Sequence, residues 1–462
     1  MSGGGQTTPH ALPAHHLVTH GVVVGMTGSG KTGLLTVLAE EAMAAGIPLI
    51  AIDVKGDLPN LLLAFPTFDA SAFAPWAPSA MAPDETRAPE VIAAELSAKR
   101  QKALLGEGID VEALRRFHAT TDVRVLTPGS TGGEPLHVLS SLERRSSRWD
   151  SDPESAQASL SAAVSLVLRL VGRDGDPARS REHVLLSVLA ERHLRAGRDA
   201  DLGTLLRDLG EPPIDEIGAL PLDTFLSKND RKSLAAALNN LLASPTFASW
   251  RQGATLDVGS WLEPPVVPGT PKRTPAVIVS VAHLDDEERA LVLGIVLEEI
   301  LAWVRALPGT SRLRALVLFD EVYGYLPPHP SNPPTKRPLV ALMKQARAFG
   351  VGVVVATQNP MDLDYRALSN AGTWCIGRLQ TDADRERVVD GLSGAAGSGR
   401  GADKLLDQTI GRLAQRWFLL RNVHAEGPPV LLAPRYAMSY LRGPMTRVEL
   451  TGALRARRTA EP

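Results

Sequence analysis

Cysteine is almost missing from this chain: Cys375 stands alone among 462 residues. One thiol cannot build a disulfide framework or a cysteine-rich zinc site, and such scarcity suits a reducing compartment. An excess of charge of one sign is missing too, since 49 basic and 51 acidic residues leave a formal net charge of -2. No global basicity advertises nucleic acid, although a neutral average is compatible with a local basic channel. Long hydrophobic runs are absent, with no uncharged apolar stretch of ~18 residues that would span a membrane. Met1 to Gln6 lacks the basic and apolar regions of a signal peptide. These absences predict a soluble, cytoplasmic protein with no membrane insertion, and no internal repeat is evident.

What is there is enough apolar residue for substantial cores, 44% of the chain. Its length suits one large α/β domain with insertions or two to three ordinary domains. The most informative stretch is Gly25-Met26-Thr27-Gly28-Ser29-Gly30-Lys31-Thr32, which fits Gly-x-x-x-x-Gly-Lys-[Ser/Thr]. The β-branched run Gly21 to Val24 precedes it, and Gly33 to Met43, apolar at helical spacing and closed by Gly46, follows. A strand, a glycine-rich turn and a helix in that order make a phosphate-binding loop. The glycines let several backbone N–H groups point inward at phosphate oxygens, and the helix N-terminus adds its positive end. Lys31 is then placed to reach the β and γ phosphates, and Thr32 a Mg²⁺ ion.

Further apolar runs at Ile47 to Ile52, Val123 to Leu126, Ala276 to Val281, Ala315 to Phe319, Val351 to Ala356 and Thr373 to Gly377 read as buried strands. Helical patterns lie between them, including Asp285 to Ala306 and Thr335 to Phe349, and this alternation predicts a mainly parallel, helix-flanked sheet. Ala88 to Phe117 is helical in composition and lies in an insert at about 66–119, whereas Asp152 to Trp250 shows amphipathic stretches and no strand-like run. The expected organisation is a first part of the core over 1–150, an all-helical insertion over 151–251, and a second part of the core with C-terminal strands and tail over 252–462. Gly259 to Pro275 and Ser393 to Gly401 read as connectors, and Arg455 to Thr459 as a short, disordered basic tail.

Leu316 to Phe319 followed by Asp320 and Glu321 is a strand ending in two carboxylates, the form of a Walker-B segment. Asp320 is suited to hold Mg²⁺, and Glu321 to orient and deprotonate the attacking water, a pairing that favours hydrolysis over mere binding. The next strand ends at Thr357-Gln358-Asn359-Pro360, where the Gln358 amide can donate to a γ-phosphate and accept from the lytic water. Asp53 to Asp57 closes the second strand; its carboxylates serve a water or metal shell, or the segment is simply a turn using Gly56. Arg347, Arg378, Arg385 and Arg387 flank core strands, as an arginine finger from a neighbouring subunit or as surface ion-pair partners. His10, His15, His16 and His20 have no cysteine or carboxylate at ligand spacing, which argues against a metal site there.

Together, Gly25 to Thr32, Ile52 to Leu58, Phe319 to Glu321 and Ala356 to Pro360 resemble the HerA/FtsK superfamily of P-loop ATPases. Lys344 to Val353, Leu368 to Trp374 and Met438 to Pro444 are similar to the HerA-like bacterial proteins of the YjgR type. The resemblance covers most of the core but not the helical insertion. It implies a RecA-like ATPase that binds ATP and Mg²⁺, forms a homo-oligomeric, usually hexameric, ring and moves double-stranded DNA, or in some branches protein, through its pore. The helicase-like reading carries a partner protein such as a nuclease as a further expectation. The resemblance also implies Gly25, Thr27, Gly28, Ser29, Gly30, Lys31, Thr32 and Gly33 as the nucleotide cradle and Asp320 with Thr32 at the metal. Lys31, Glu321 and Gln358 carry the chemistry, Asp53 and Asp57 assist, and Arg378 acts across a subunit boundary. Only 24 residues precede the loop, too few for the β-barrel of HerA proper. No winged helix of the FtsK kind is evident at the other end, and YjgR-type proteins run longer there, so the chain reads as a short representative. Beside the DNA motor stand two alternatives, a motor for protein substrates and a nucleotide-gated regulatory module with slow ATPase activity.

Overall fold

The apolar runs become the inner strands of one large sheet in a computed structural model that describes residues 8–80, 87–263, 272–368, 371–396, 400–425 and 427–459. In chain order the strands are β1 (Gly21–Val24), β2 (Leu49–Asp53), β3 (Thr121–Pro128), β4 (Glu134–His137), β5 (Glu216–Ile217), β6 (Leu220–Pro221), β7 (Ala254–Thr255), β8 (Thr274–Ser280), β9 (Thr310–Asp320), β10 (Phe349–Thr357), β11 (Thr373–Ile376), β12 (Phe418–Asn422) and β13 (Val430–Leu432). The large sheet has the order β13-β12-β11-β1-β10-β9-β2-β8-β3-β4-β7, while β5 and β6 pair separately. All pairings in the large sheet are parallel except β11 with β12 and β12 with β13. The loop strand β1 and the acid-bearing strand β9 thus lie either side of β10, the arrangement of a RecA-like P-loop core.

The strands read as continuous apolar runs because both faces are covered. Val22, Val24, Ile50, Ile52, Val317 and Phe319 point into one core. Val23, Leu49, Ala51, Leu316, Leu318 and Val354 point into the other. The first core continues into the helices Pro153–Leu170, Arg181–Arg195, Leu202–Gly210 and Lys228–Ala243 of the insertion. Each of those helices starts at an Asp or Ser whose side chain accepts from a first-turn backbone N–H, namely Asp152, Ser180, Asp201 and Ser227. Pro153–Leu170 packs on the helix Asp286–Ala306, which Asp285 and Glu288 open with a capping box.

The second core holds the helix Lys31–Ala44, closed by Gly46 in the left-handed region at φ 75°. Glu40, fully buried on this helix, accepts from the Met438 and Ser439 N–H groups at 2.9 and 2.7 Å and pairs with Arg435 at 2.8 Å. The segment after β13 is thereby strapped across the helix that follows the phosphate loop. It also reaches the turn after β2, where Asn60 Nδ2 donates to the Gly443 carbonyl at 3.0 Å.

Several local expectations are corrected. Ala88 to Phe117 is two helices, Pro89–Leu105 and Val111–Thr120, divided around Gly108, whose φ is 76°. The insertion is not wholly helical, since β5 and β6 form a small hairpin. Arg455 to Thr459 belongs to the helix Arg447–Thr459, because Leu450 and Ala453 are buried against the second core and Arg457 donates to the Thr121 carbonyl at 3.1 Å. Part of Ser393 to Gly401 is also helical, in Asp382–Ala396 and Arg400–Gly411; residues 397–399 lie outside the described residues, as does much of the 259–275 connector. No helix among the described residues is long and apolar enough to cross a membrane.

Candidate active site

Four parallel strands, β1, β10, β9 and β2, deliver their carboxyl ends to one edge, and the site is built where their hydrogen bonding stops. After Val24 the chain turns away from the sheet. Gly25 is required at that turn, because a Cβ there would lie 2.6 Å from Ser29 Oγ. Gly28 and Gly30 take φ of 77° and 100°, a region that costs a side-chain-bearing residue energy. Met26 N–H is anchored on the Arg378 carbonyl at 2.8 Å and Ser29 N–H on the Met26 carbonyl at 3.1 Å. Thr27 and Gly28 are exposed, Thr32 and Gly33 half-buried. Lys31 is buried and donates from Nζ to the carbonyls of Gly25 and Met26 at 2.5 and 3.3 Å. Burial pulls its ammonium down to about 8, the nearby Glu321 carboxylate opposing that shift.

Across β10 stand the acids. Asp320 and Asp53 are register partners on β9 and β2 and both are buried. Burial pushes Asp320 up to about 7, with Asp53 adding a like-charge contribution. Burial likewise pushes Asp53 up to about 6, against its hydrogen bond from Ser280. Their environments differ. Asp53 Oδ1 accepts from the N–H groups of Gly56, Asp57 and Leu58 at 2.9, 3.1 and 3.4 Å, and Oδ2 from Ser280 Oγ at 2.7 Å. Asp320 Oδ2 is buried without a hydrogen-bond partner among the described residues. Asp53 therefore shapes the turn after β2, and Asp320 offers a lone pair to the site.

Glu321 follows with φ 62°, a sparsely populated conformation for a residue with a side chain. Its Oε1 accepts from the Gln358 N–H at 3.1 Å and from Thr357 Oγ1 at 3.3 Å, and its Oε2 lies 2.5 Å from Lys55 Nζ. Gln358 accepts at Oε1 from Thr27 Oγ1 at 2.5 Å, so the end of β10 is tied to the phosphate loop. Asp57, half-buried, is pushed up by burial and held down by Lys55.

The sequence-predicted residues thus converge at one sheet edge: the loop, Asp53, Asp57, Asp320, Glu321 and Gln358. Arg378 is exposed just beyond β11 and lines a cavity of about 200 Å³ with Met26, Thr27, Gly28, Ser29 and Gln415 of its own chain. Its three rivals lie elsewhere or are engaged. Arg347 precedes β10, at the opposite end of that strand from Gln358. Arg385 pairs with Asp382 at 2.6 Å and Asp407 at 3.1 Å, and Arg387 lies over the Tyr365 ring at 4.8 Å. The residue missed from sequence is Lys55, readable only as one charge within Asp53 to Asp57. His20, grouped there with possible metal ligands, is a core acceptor: its Nδ1 takes the Val353 N–H at 3.1 Å, far from the loop.

For a divalent cation the residues fit. The orphaned Asp320 oxygen and the Thr32 hydroxyl are hard donors of the type Mg²⁺ takes. Among the described residues no group of three or more His, Cys, Asp and Glu is arranged to hold a metal, so phosphate oxygens and water would complete its shell.

Residues 3–72 match the family described as helicase HerA-like C-terminal, a segment that holds the loop, its helix and β2. This bears out the HerA/FtsK resemblance without singling out the YjgR type. No curated protein matches the chain. Among solved structures it is similar to VirB4 of Thermoanaerobacter pseudethanolicus, with 11% identity over 90% of each chain and a TM-score of 0.49. It is also similar to the plasmid coupling protein TrwB in complex with ADP and Mg²⁺, with 14% identity over 94% of this chain and 89% of that one and a TM-score of 0.47. The genome packaging NTPase B204 from Sulfolobus turreted icosahedral virus 2, in complex with AMP, is 15% identical over 42% of this chain and 78% of that one, with a TM-score of 0.26.

Proposed function

We propose, for a chain whose phosphate-loop segment is of the HerA-like C-terminal family, that it is a Mg²⁺-dependent ATP hydrolase of the HerA/FtsK type, a ring-forming motor that translocates double-stranded DNA. One observation carries the hydrolytic part. The loop lysine Lys31, the carboxylate of Glu321 and the side-chain amide of Gln358 share one sheet edge, with the Gln358 backbone N–H donating to Glu321 and the Gln358 side chain tied to Thr27. In this reading the backbone N–H groups from Gly28 to Thr32 cradle the phosphates, and Lys31 leaves its carbonyl partners for the β and γ oxygens. Glu321 accepts the proton of the attacking water, while Gln358 orients that water and relays γ-phosphate occupancy to Thr27. Bound at Thr32 and Asp320, Mg²⁺ would neutralise charge developing on the phosphate oxygens. Arg378 adds positive charge at the loop's rim, from its own chain or, in a ring, toward a neighbour.

The motor part rests on the family match. A hexameric ring, a cytoplasmic location and a nuclease-like partner belong to the same reading, as does the division into 1–150, 151–251 and 252–462. A nucleotide-gated partner module is the second reading, favoured by the direct packing of Pro153–Leu170 on the helix after β8, Asp286–Ala306. Steady-state ATP hydrolysis with and without linear double-stranded DNA, at low and moderate salt, separates the two. A DNA motor gives stimulation that weakens as salt rises, because phosphate contacts release counterions. Turnover indifferent to DNA contradicts the DNA motor and favours a protein-directed motor or the partner module.

A further inference from the structure

Without nucleotide, the Glu321 carboxylate is committed to protein partners rather than to a water. A general base must come within hydrogen-bond reach of the water whose proton it takes, with an oxygen directed at it. Both oxygens of Glu321 are engaged, Oε1 by Gln358 and Thr357 and Oε2 by Lys55 at 2.5 Å. The engagement by Lys55 is built into the fold. The turn that presents Lys55 is fixed from beneath by Asp53, which gathers the three N–H groups of Gly56, Asp57 and Leu58. From outside, the C-terminal strap holds it: the Met445 N–H donates to the Gly56 carbonyl at 3.4 Å, and Pro444 lies against Gly56. The lysine side chain itself is about one-third exposed, at 36%. Its backbone is held while its four-carbon stem and rotatable ammonium can change partners.

We propose that Lys55 is a positioning residue that reads the γ-phosphate. It pairs with Glu321 until a triphosphate offers its ammonium a more highly charged oxyanion, and on changing partner it frees Glu321 Oε2 for the lytic water. Lys31, Lys55, Glu321 and Asp320 lie close enough to act on one another electrostatically, so a γ-phosphate held by Lys31 falls within the same cluster. ADP, which lacks that group, leaves the pair in place. Hydrolysis is thereby coupled to the presence of the third phosphate, a role distinct from that of Lys31, which serves either nucleotide. The inference rests on the proposed ATPase reading and adds a residue to it.

The test is equilibrium binding of a fluorescent non-hydrolysable ATP analogue and of fluorescent ADP, with Mg²⁺, to the full chain as wild type, Lys55→Gln, Glu321→Gln and the double variant. Lys55→Gln is expected to weaken the triphosphate analogue about tenfold and ADP less than about twofold, the loss of one charge-assisted contact. Glu321→Gln, which releases Lys55 from its carboxylate, is expected to bind the triphosphate severalfold more tightly. In the double variant that gain disappears. Equal weakening of both nucleotides by Lys55→Gln, or a Glu321→Gln gain that persists without Lys55, overturns the proposal. Lys55→Arg, which keeps the charge, restores part of the discrimination and guards against a folding defect in Lys55→Gln. Failure of the underlying reading looks different: Lys31→Ala would then bind both nucleotides like wild type.

Discussion

β10 has two ends with opposite chemistry. At its start, Val351 to Val353 runs beneath a 3₁₀ helix, Ala14–Thr19, and the buried His20 ring accepts the Val353 N–H. At its finish, about 20 Å further along at ~3.3 Å per residue, Gln358 stands among Lys31, Lys55, Asp320 and Glu321. The interior of the strand is equally buried throughout. At the start one neutral ring satisfies one backbone donor, and close packing does the rest. At the finish the carboxyls of Asp53 and Asp320 are kept buried with raised proton affinity, beside the Lys55–Glu321 pair and Lys31. A parallel sheet makes this division natural, because all its carboxyl ends fall on one side and the helix N-terminus after β1 opens toward them. Both ends hold a residue at positive φ, His20 and Glu321, and a buried polar atom without a hydrogen-bond partner among the described residues, His20 Nε2 and Asp320 Oδ2; what sets the finish apart is its concentration of charge.

Changes at the two ends should therefore separate binding from stability. The largest effect belongs to Lys31→Ala, expected to lower nucleotide affinity about a hundredfold or more, the loss of ~3 kcal/mol of charge-assisted hydrogen bonding. Its melting temperature should hold, which calorimetry with and without nucleotide checks. At the other end, a Cβ on Gly352 would lie 2.5 Å from the Leu17 carbonyl oxygen. Gly352→Ala is expected to cost about 1–3 kcal/mol of stability while ADP affinity stays within about twofold; a variant that loses affinity instead would erase the distinction between the ends.

The smallest effect is one of pH. Burial holds His20 down at about 4, below the ~6.5 of an unfolded chain. The neutral ring's contribution is complete above pH 6.5 and is lost as pH falls toward 4, because protons bind the unfolded chain more tightly. Between pH 7 and 5 the wild type should lose about 2 kcal/mol that His20→Asn, able to adopt the same left-handed backbone, does not. Denaturant titrations at the two pH values read the difference, and parallel curves for the two proteins would show that His20 titration does not set the pH dependence.

Much of this was legible in the sequence, for physical reasons. β1, β2, β8, β9 and β10 are covered on both faces, so they read as continuous β-branched and aliphatic runs, and the residues that follow them fell into place as the site. The sheet's edges were harder. β4 and β7 are four and two residues long with partly exposed side chains, too short and too polar for periodicity to register. The C-terminal helix was hidden by its arginines; the signal was Leu450, Ala453 and Leu454 at helical spacing, and Arg457 turns inward to a backbone carbonyl rather than outward to solvent. Asp53 and Lys55 show the same limit within the site. Sequence placed both at the edge, but only the three N–H groups gathered by Asp53 and the carboxylate facing Lys55 distinguish the residue that shapes the turn from the one that faces the chemistry.

In the proposed mechanism Glu321 is the base of an ATP-hydrolysing site. The most direct test of that role is steady-state ATP hydrolysis by wild type and Glu321→Gln, with nucleotide binding measured on the same preparations. Glu321→Gln is expected to bind ATP at least as well as wild type and to turn it over slower by about two orders of magnitude or more. Hydrolysis by Glu321→Gln at the wild-type rate would contradict it.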